Sequence, residues 1–251
     1  MDDLLGFVSP PGCRLGRPLI LKALTGSTND DARALANAGA GHGTVVLADA
    51  QTAGRGRLGR AWSSPAGENL YLSVVWRAGL DAIEPPLLAL GAGLAVSEAL
   101  DGFTPTPTAV KWPNDVRHRG RKLAGLLAEA IYRGTQPSAV ILGLGVNVRG
   151  AVMPDAIAEI ATSLRIVRGD DPGRAAVLSS LLEHLDATLG RLCAEGFVAI
   201  RQRLIERCEN IGARVSIGEV SGVAIDIDPT GALRVRDDQG VVHAVRAGEI
   251  R

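Results

Sequence analysis

The hydrophobic positions of the chain change their spacing along its length, and this spacing predicts where strands and helices lie. Short continuous apolar runs bounded by glycine or proline are typical of strands that are buried on both faces. Such runs occupy 45–48, 70–76, 109–112, 123–131 and 140–148. They predict the core sheet of one large domain.

Helical spacing of apolar residues occupies three segments between and after these runs. Thr28 is placed to cap the first helix, with Asp31 three residues further on as an acidic partner. Pro85 suits the first turn of a second helix, and leucines recur at helical spacing in 173–209. Residues 1–20, rich in proline and glycine, predict an irregular lead-in.

After Gly212 the pattern changes to four short apolar runs, at 215–217, 223–227, 233–235 and 241–245. Four short strands with tight turns predict a small β-barrel, which is too small to rely on its own core and should pack on the larger domain. Because strands and helices mix without strict alternation, the predicted fold class is α+β. We therefore expect a larger domain over 1–209 and a barrel over 210–251.

The composition of the chain narrows the class of protein. The 251 residues are 46% hydrophobic, which is enough for a sizeable core. Lysine plus arginine and aspartate plus glutamate each total 27, so no excess positive charge attracts a polyanion. Three scattered cysteines argue against a disulfide framework, and no apolar run is as long as a membrane span. The expected protein is cytoplasmic, with neither a membrane nor a nucleic-acid partner.

Residues 54–60, which we call the arginine loop, read Gly-Arg-Gly-Arg-Leu-Gly-Arg. Glycine lets the backbone approach a ligand closely, and the planar guanidinium group of arginine fits carboxylate and phosphate oxygens. A solvated surface loop, a nucleic-acid contact and a site for one small anion are the alternatives. The zero net charge favours the small anion. We predict a lid that is mobile when empty and ordered over its ligand.

Further polar clusters interrupt the apolar background, at Ser27-Thr28-Asn29, Gln51, 111–115, Arg121-Lys122 and 143–147. Three of them have a purely structural alternative: helix capping for 27–29, a polar turn for 111–115 and a lysine on the surface for Lys122. Together they fit a ligand with a polar head that needs neutral donors and acceptors, and an anionic part that needs arginine and lysine. The chain has no Walker A motif and no Gly-x-Gly-x-x-Gly motif after a strand, so an ordinary P-loop or Rossmann site is not indicated.

The order of five motifs resembles that of biotin protein ligases. The motifs are Ser-Thr-Asn at 27–29, Gln-Thr-Ala-Gly-Arg-Gly-Arg at 51–57, Lys-Trp-Pro-Asn-Asp at 111–115, Arg-Lys-Leu-Ala-Gly-Leu-Leu at 121–127 and Gly-Leu-Gly-Val-Asn at 143–147. The segment Gly248-Glu249-Ile250 is similar to the end of that family's small barrel. The resemblance implies a class II synthetase-like catalytic domain, in which helices flank a mixed sheet, followed by an SH3-like β-barrel.

The resemblance implies an ATP-dependent ligase that joins biotin to a lysine of a biotin carboxyl carrier protein, or of that domain in an acetyl-CoA or acyl-CoA carboxylase. Mg-ATP first activates biotin as biotinyl-5′-AMP, and the acceptor lysine then displaces AMP. The nearest alternative is a lipoate or octanoate ligase or transferase of the same fold. A biotin-binding sensor without catalysis is a further alternative, and the resemblance also allows a homodimer.

The same resemblance implies roles for individual residues. Lys122, assisted by Arg57, is the expected catalytic residue, at the junction of the biotin carboxylate and the α-phosphate. The residues expected to bind biotin are Ser27, Thr28, Asn29, Gln51, Gly54, Arg55, Gly56, Arg57, Lys122, Gly125 and Gly143. Those expected to bind ATP are Arg57, Arg60, Trp62, Lys111, Asn114, Lys122 and Asn147. Asp115 is the expected ligand of Mg²⁺.

Two positions depart from the family's pattern. Leu58 stands where many relatives have another arginine, and Glu68 replaces a common glycine. The first departure puts the affinity or ordering of the arginine loop in question. Some members also carry an N-terminal DNA-binding domain. Only 26 residues precede Ser27, which predicts a monofunctional ligase with no DNA-binding role.

Overall fold

The computed structural model describes residues 1–153 and 157–250. Among these residues, seven strands form one mixed sheet. In chain order they are β1 (Leu19–Thr25), β2 (Val45–Gln51), β3 (Leu70–Trp76), β4 (Ala109–Lys111), β5 (Asp115–His118), β6 (Arg121–Arg133) and β7 (Gln136–Val146). Across the sheet the order is β1-β2-β3-β7-β6-β5-β4. β1 and β2 pair in parallel and the other neighbours pair antiparallel, which confirms the predicted mixed sheet of an α+β fold.

Helices cover both faces of this sheet. They are α1 (Thr28–Asn37), α2 (Pro85–Asp101), α3 (Leu164–Arg168), α4 (Arg174–Glu195) and α5 (Val198–Arg207). Successive side chains of β2 point to opposite faces. Val45 and Leu47 join the large core with α2 and α4, whereas Val46 packs in a smaller cluster with Ala32 and Ala36 of α1. Within 1–153 and 157–250, no helix is long and apolar enough to cross a membrane.

Coverage on both faces explains why the central strands read as continuous apolar runs. All seven residues of β3 are buried, and β3 has the bounds that its apolar run predicts. Edge strand β1 is only partly buried. It begins inside the segment predicted to be an irregular lead-in, because pairing with β2 rather than a run of buried side chains holds it in place.

Two local predictions about helices need correction. Ser27, not Thr28, occupies the N-cap of α1, and its side chain makes no capping hydrogen bond. The helical segment predicted over 173–209 is divided, because Gly196 ends α4 with a φ of 82° before α5 begins. A positive φ suits glycine, which has no Cβ to clash with the backbone.

A second sheet lies at the C-terminal end, where four strands were predicted. Its strands are β8 (Arg214–Ile217), β9 (Val220–Ile227), β10 (Leu233–Arg236) and β11 (Val242–Val245), paired antiparallel in the order β11-β10-β9-β8. Its buried side chains belong to the same core cluster as α2 and α4. The Trp112 indole donates to the Gly231 carbonyl at 3.2 Å, and Arg201 pairs with Asp226 at 2.6 Å. The small sheet therefore packs on the larger part of the chain, as its size predicts.

Candidate active site

A small cavity lies where α1 begins and β2 ends, facing β6 and β7. We call it the recognition cavity; its volume is about 50 Å³. It is lined by Ser27, Thr28, Asn29, Gln51, Arg55, Gly56, Arg57, Trp62, Asn114, Lys122, Gly125, Leu126, Leu127, Gly143, Leu144 and Gly145. All the residues expected to bind biotin are on this wall except Gly54. Gly54 packs behind it, where a Cβ would stand 2.6 Å from the Trp62 carbonyl.

Thr28 and Gln51 are joined by hydrogen bonds at one side of the recognition cavity. The backbone N–H of Thr28 donates to Gln51 Oε1 at 2.9 Å, and Gln51 Nε2 donates to Ser64 Oγ at 2.9 Å. The Ser64 hydroxyl donates to the Trp62 carbonyl at 3.0 Å. Because a backbone N–H can only donate, it fixes which end of the Gln51 amide faces α1. This chain of bonds ties the segment after the arginine loop to the first turn of α1.

Ser73, fully buried in β3, links Thr28 to Asn29. Its Oγ lies 2.8 Å from Thr28 Oγ1 and 2.6 Å from Asn29 Oδ1. Asn29 Nδ2 in turn donates to Glu129 Oε2 at 2.7 Å. Asn29 also presses on Gly143, where a Cβ would stand 2.1 Å from Oδ1. The Asn29 side chain therefore leaves no room for a Cβ at position 143. The glycine in this strand marks the close approach of a protein side chain.

Helix capping does not account for the Ser27-Thr28-Asn29 cluster. Ser27 is buried at the N-cap, yet its hydroxyl accepts no bond from the first turn of α1. The side chains of Thr28 and Asn29 bond to Gln51, Ser73 and Glu129 instead. The polar residues at the start of α1 thus line the recognition cavity. This arrangement favours ligand binding over helix capping as the role of the cluster.

Trp62 lies against a strip of sheet that has no side chains. Gly125 of β6 and Gly145 of β7 are directly paired. A Cβ on Gly145 would stand 2.4 Å from the indole, and one on Gly125 would stand 2.9 Å from it. Lys122 Nζ is 5.2 Å from the ring centroid, within cation–π range. Trp62 Nε1 is buried and has no hydrogen-bond partner among the described residues, so a ligand acceptor would satisfy it.

Lys122 lies where the recognition cavity meets a second, larger cavity. Its Nζ is 2.7 Å from Asp115 Oδ1, and the side chain is 30% exposed. The backbone of Lys122 is held by Ile160 and Thr162, through bonds of 2.8 and 2.9 Å. A lysine that is anchored on both sides and aimed at a carboxylate inside a cavity does not fit the surface-lysine alternative.

The larger cavity has a volume of about 590 Å³ and extends to residues 248–250 at the end of the chain. Every residue expected to bind ATP lines it: Arg57, Arg60, Trp62, Lys111, Asn114, Lys122 and Asn147. Lys111 Nζ donates to the Ile250 carbonyl at 3.1 Å, and burial lowers the pKa of Lys111. Asn147 Nδ2 donates to the Thr162 carbonyl at 3.0 Å. This cavity therefore combines amides and cations, as a nucleotide requires.

Arg55, at the first arginine of the arginine loop, is engaged with α1. Its guanidinium donates two bonds of 2.6 Å to the Asp30 carboxylate, and it lies 3.8 Å from Glu129. The hydrogen bond from Arg55 holds the pKa of Asp30 below its usual range, and the same contact raises the pKa of Arg55. Arg55 must exchange Asp30 for another anion before it contacts a ligand carboxylate or phosphate.

The other two arginines of the loop contact different parts of the fold. Arg57 Nη1 donates to Asn114 Oδ1 at 2.7 Å, Arg57 Nη2 to the Gly248 carbonyl at 3.4 Å, and Arg60 pairs with Glu249. Burial lowers the pKa of Arg57. Between them Leu58 has a φ of 56°, in the left-handed region, which costs a non-glycine residue roughly 1 kcal/mol. The loop is thus held by α1, by the β4–β5 turn and by the C-terminal segment.

The residues that could hold a metal ion are few. In the part of the chain that the structure describes, no group of three or more histidine, cysteine, aspartate or glutamate side chains is placed to bind one. Asp115 lines the larger cavity beside Lys122. One carboxylate fits Mg²⁺ that is held mainly by substrate phosphates and water. The role of Asp115 as a magnesium ligand stays a prediction.

The structure also identifies site residues that the sequence did not single out: Ser64, Ser73, Glu129 and Asp30. Of these, Ser73 had a detectable signal, because it is a polar residue within the apolar run of β3. Buried polar side chains need partners, so such a residue indicates a local network. The others are polar residues on partly exposed segments and become visible only through their contacts.

Comparison with known sequences gives one consistent family. The model of the biotin/lipoate A/B protein ligase family matches residues 23–147, and that of the biotin protein ligase C terminal domain matches residues 211–251. The biotin–[acetyl-CoA-carboxylase] ligase of Mycobacterium tuberculosis is 40% identical, over 93% of this chain and 88% of the relative. The ligase of that name from Paracoccus denitrificans is 38% identical, over 87% of this chain and 94% of the relative.

The fold comparison agrees with the sequence comparison. Biotin protein ligase from Aquifex aeolicus, solved in complex with biotin and ATP, superposes with a TM-score of 0.81. It is 31% identical and covers 93% of this chain and 97% of its own. Both the large sheet and the small C-terminal sheet are included in these matches, and the motifs that carried the resemblance line two joined cavities. The chain belongs to the biotin protein ligase family.

Proposed function

We propose that this protein is a biotin–protein ligase, which activates biotin with ATP and transfers it to a lysine of a carrier protein. The observation that carries the proposal is the meeting of two chemically different cavities at Lys122. The recognition cavity offers hydrogen-bonding groups for a polar ring, and the larger cavity offers amides and cations for a nucleotide. An acid in the first and ATP in the second would bring their reacting groups together at Lys122.

In the first step, an oxygen of the biotin carboxylate attacks the α-phosphorus of ATP, and pyrophosphate leaves. The two anions repel each other, so Lys122 and Arg57 lower the barrier by stabilising the charge around the α-phosphate. Asp115 positions the Lys122 ammonium at this junction. Mg²⁺, bound to the phosphates with Asp115 as the available carboxylate, would neutralise part of their charge. Holding both reactants in place supplies much of the remaining rate enhancement.

In the second step, the amine of the acceptor lysine attacks the carbonyl carbon of biotinyl-5′-AMP. The carbon–oxygen bond to the phosphate breaks, AMP leaves, and the nitrogen loses a proton to form the amide. Water would compete with the lysine for the same carbon. The arginine loop, which lies over the junction of the two cavities, is the segment that would exclude it.

The recognition cavity favours biotin over lipoate, the alternative substrate. The ureido ring of biotin has two N–H donors and a carbonyl acceptor, whereas the dithiolane ring of lipoate has none of these. Thr28 and Gln51 are polar and largely withdrawn from water. Each polar group left unpaired by a bound dithiolane would cost about 1–3 kcal/mol.

The proposed acceptor is the carrier protein or domain of an acetyl-CoA or acyl-CoA carboxylase, as the names of the two curated relatives support. Within the proposal, residues 1–209 form the catalytic domain and residues 210–251 a small domain that closes the larger cavity. The separate sheets and the position of residues 248–250 on the cavity wall support this division. A cytoplasmic location, a homodimer and the absence of a DNA-binding role stay predictions.

A transfer assay tests the proposed function. Incubating the protein with biotin, Mg-ATP and an apo carrier domain should add one biotin to the carrier, detected by mass spectrometry. A carrier whose acceptor lysine is replaced by arginine is the matched control and should stay unmodified. Pyrophosphate should be released with biotin and not with lipoate. Turnover of lipoate in the absence of any turnover of biotin would contradict the proposal.

A further inference from the structure

We infer that Glu129 and Ser73 are positioning residues that fix the direction of the hydrogen bonds behind the recognition cavity. They act through Asn29 and Thr28 and leave Thr28 Oγ1 able only to accept a bond from the ligand. The inference rests on the proposed function, because it takes the ureido ring of biotin as the ligand. Neither Glu129 nor Ser73 belongs to the motifs that carried the family resemblance.

Glu129 sets the direction at the outer end of this chain of contacts. Its Oε2 lies 2.7 Å from Asn29 Nδ2, and a carboxylate can only accept. The amide nitrogen of Asn29 therefore faces Glu129, and its Oδ1 faces Ser73. Since Oδ1 can also only accept, the hydroxyl proton of Ser73 must lie in the 2.6 Å contact with Asn29.

The single proton of Ser73 is then committed, and this fixes the proton of Thr28. The contact of 2.8 Å between Ser73 Oγ and Thr28 Oγ1 still needs a hydrogen. Only the Thr28 hydroxyl can supply it. Gln51 Oε1 is the other acceptor within reach of the Thr28 hydroxyl, at the longer distance of 3.2 Å. It also accepts the backbone N–H of Thr28 at 2.9 Å, so it keeps a donor when the hydroxyl proton lies toward Ser73. Thr28 Oγ1 consequently presents only lone pairs to the cavity.

An oxygen that can only accept selects for a ligand with a donor. Thr28 is 4% exposed, so water cannot easily replace a missing ligand donor. A ureido N–H provides that donor, and a ring without an N–H or O–H does not. A free hydroxyl would adapt by turning its proton toward either kind of ligand. Glu129 and Ser73 remove this freedom and so contribute to the selectivity of a cavity that they do not line.

The surroundings of Glu129 provide a matched control for its charge. Arg33 lies 3.2 Å from Glu129 Oε1, the oxygen that does not face Asn29. Removing Arg33 changes the charge around Glu129 and leaves the bond to Asn29 in place. Ser73 provides the complementary variant, because it interrupts the chain of bonds without altering any charge near Arg55.

The test is calorimetric titration of the whole protein with biotin, for wild type, Ser73→Ala, Glu129→Gln, the double variant and Arg33→Gln. Ser73→Ala and Glu129→Gln should each weaken biotin binding about tenfold. The double variant should bind no more weakly than the weaker-binding single variant, because both changes act on the same protons. Arg33→Gln should stay within about twofold of wild type. Additive losses in the double variant, or a loss in Arg33→Gln equal to that in Glu129→Gln, would overturn the inference.

A second ligand separates positioning from a general structural role. Biotin methylated on a ureido nitrogen lacks one N–H donor, and wild type should bind biotin in preference to it. Ser73→Ala and Glu129→Gln should reduce that preference at least about threefold, because the Thr28 proton loses its hold in the 2.8 Å contact and keeps only the longer 3.2 Å contact with Gln51. An unchanged preference, with both ligands weakened equally, would contradict the inference.

The same titrations distinguish failure of the inference from failure of the proposed function. If wild type binds biotin but forms no adenylate, the proposed catalytic function fails while the positioning role stands. If wild type does not bind biotin, both the inference and the proposed function are contradicted. Thermal denaturation of each variant shows whether it folds, and the partly exposed Glu129 keeps the test available if Ser73→Ala does not fold.

Discussion

The recognition cavity and the arginine loop face the same proposed substrate but are held in place in opposite ways. In the cavity, Thr28 and Ser73 are buried and bond to neighbouring side chains. In the loop, Arg55 and Arg60 bond to carboxylates outside the loop and remain 38% and 58% exposed. The cavity is thus stabilised from within, whereas the loop is stabilised by contacts at its surface.

This difference indicates which region recognises the substrate and which region moves. Breaking one bond of a buried network leaves its partners unpaired, at about 1–3 kcal/mol each, so the cavity keeps one arrangement. Exposed ion pairs contribute about 0–1 kcal/mol, so the arginine loop can leave its partners at low cost. Exchanging Asp30 for a substrate anion also replaces one ion pair by another. We therefore expect substrate selection from the cavity and closure from the loop.

The largest effect should come from Lys122, which lies between the two regions. Lys122→Ala should lower biotin-dependent pyrophosphate exchange about 10²–10³-fold, because charge at the α-phosphate loses its closest stabilising group. Lys22→Ala is the matched control, since Lys22 pairs with Asp31 at 2.8 Å away from both cavities. Its activity should equal that of wild type. If the melting temperature of Lys122→Ala falls in proportion to its activity, Lys122 has a structural role instead.

A smaller effect is expected when the cavity alone is broken. Gln51→Ala leaves the Thr28 N–H and Ser64 without their partners. The KM for biotin should rise about 10–100-fold and stability should fall by about 1–3 kcal/mol, with the KM for ATP unchanged. Steady-state kinetics with each substrate varied in turn checks this. An equal rise in the KM for ATP would show that the two cavities are not separable.

Removing one contact that holds the arginine loop should have a smaller effect again on stability. Arg60→Gln removes the contact with Glu249, and the free energy of unfolding should change by less than about 1 kcal/mol. Trypsin should nevertheless cut the empty variant faster than wild type after Arg55 or Arg57, as measured by mass spectrometry. Biotin with ATP should slow the cleavage in both proteins. A cleavage rate that does not change when biotin and ATP are added would contradict the prediction that the arginine loop is a lid.

The smallest effect should appear in the pH dependence of stability. The pKa of Asp30 is lowered by Arg55, so this pair stabilises the fold fully above the ordinary aspartate pKa of about 3.9. Its contribution is lost as the pH falls through the lower pKa of the folded state. Since Asp30 is exposed, the loss should be less than about 1 kcal/mol. Urea titrations between pH 6 and pH 3 should show it in wild type and not in Asp30→Asn.

Much of the fold and of the candidate site could be predicted because it is encoded in local patterns. The apolar run of β3 predicts its bounds, since a strand covered on both faces buries every side chain and, apart from Ser73, carries no small polar residue. The arginine loop and Lys122 stood out because no core would contain them. β1 escaped prediction, since a partly buried edge strand carries polar residues such as Lys22 and resembles a loop in sequence.

The sequence by itself determined the α+β class, the separate strands of the large domain and of the small barrel, the arginine loop and the resemblance to biotin protein ligases. Only the tertiary structure decided that Ser73 joins Thr28 to Asn29, and that Asn29 meets Glu129 across 100 positions of sequence. The physical reason is the range of each interaction. Apolar periodicity is repeated over many residues and survives small errors in position. A hydrogen bond depends on two atoms lying within about 3 Å of each other, which only the folded chain specifies.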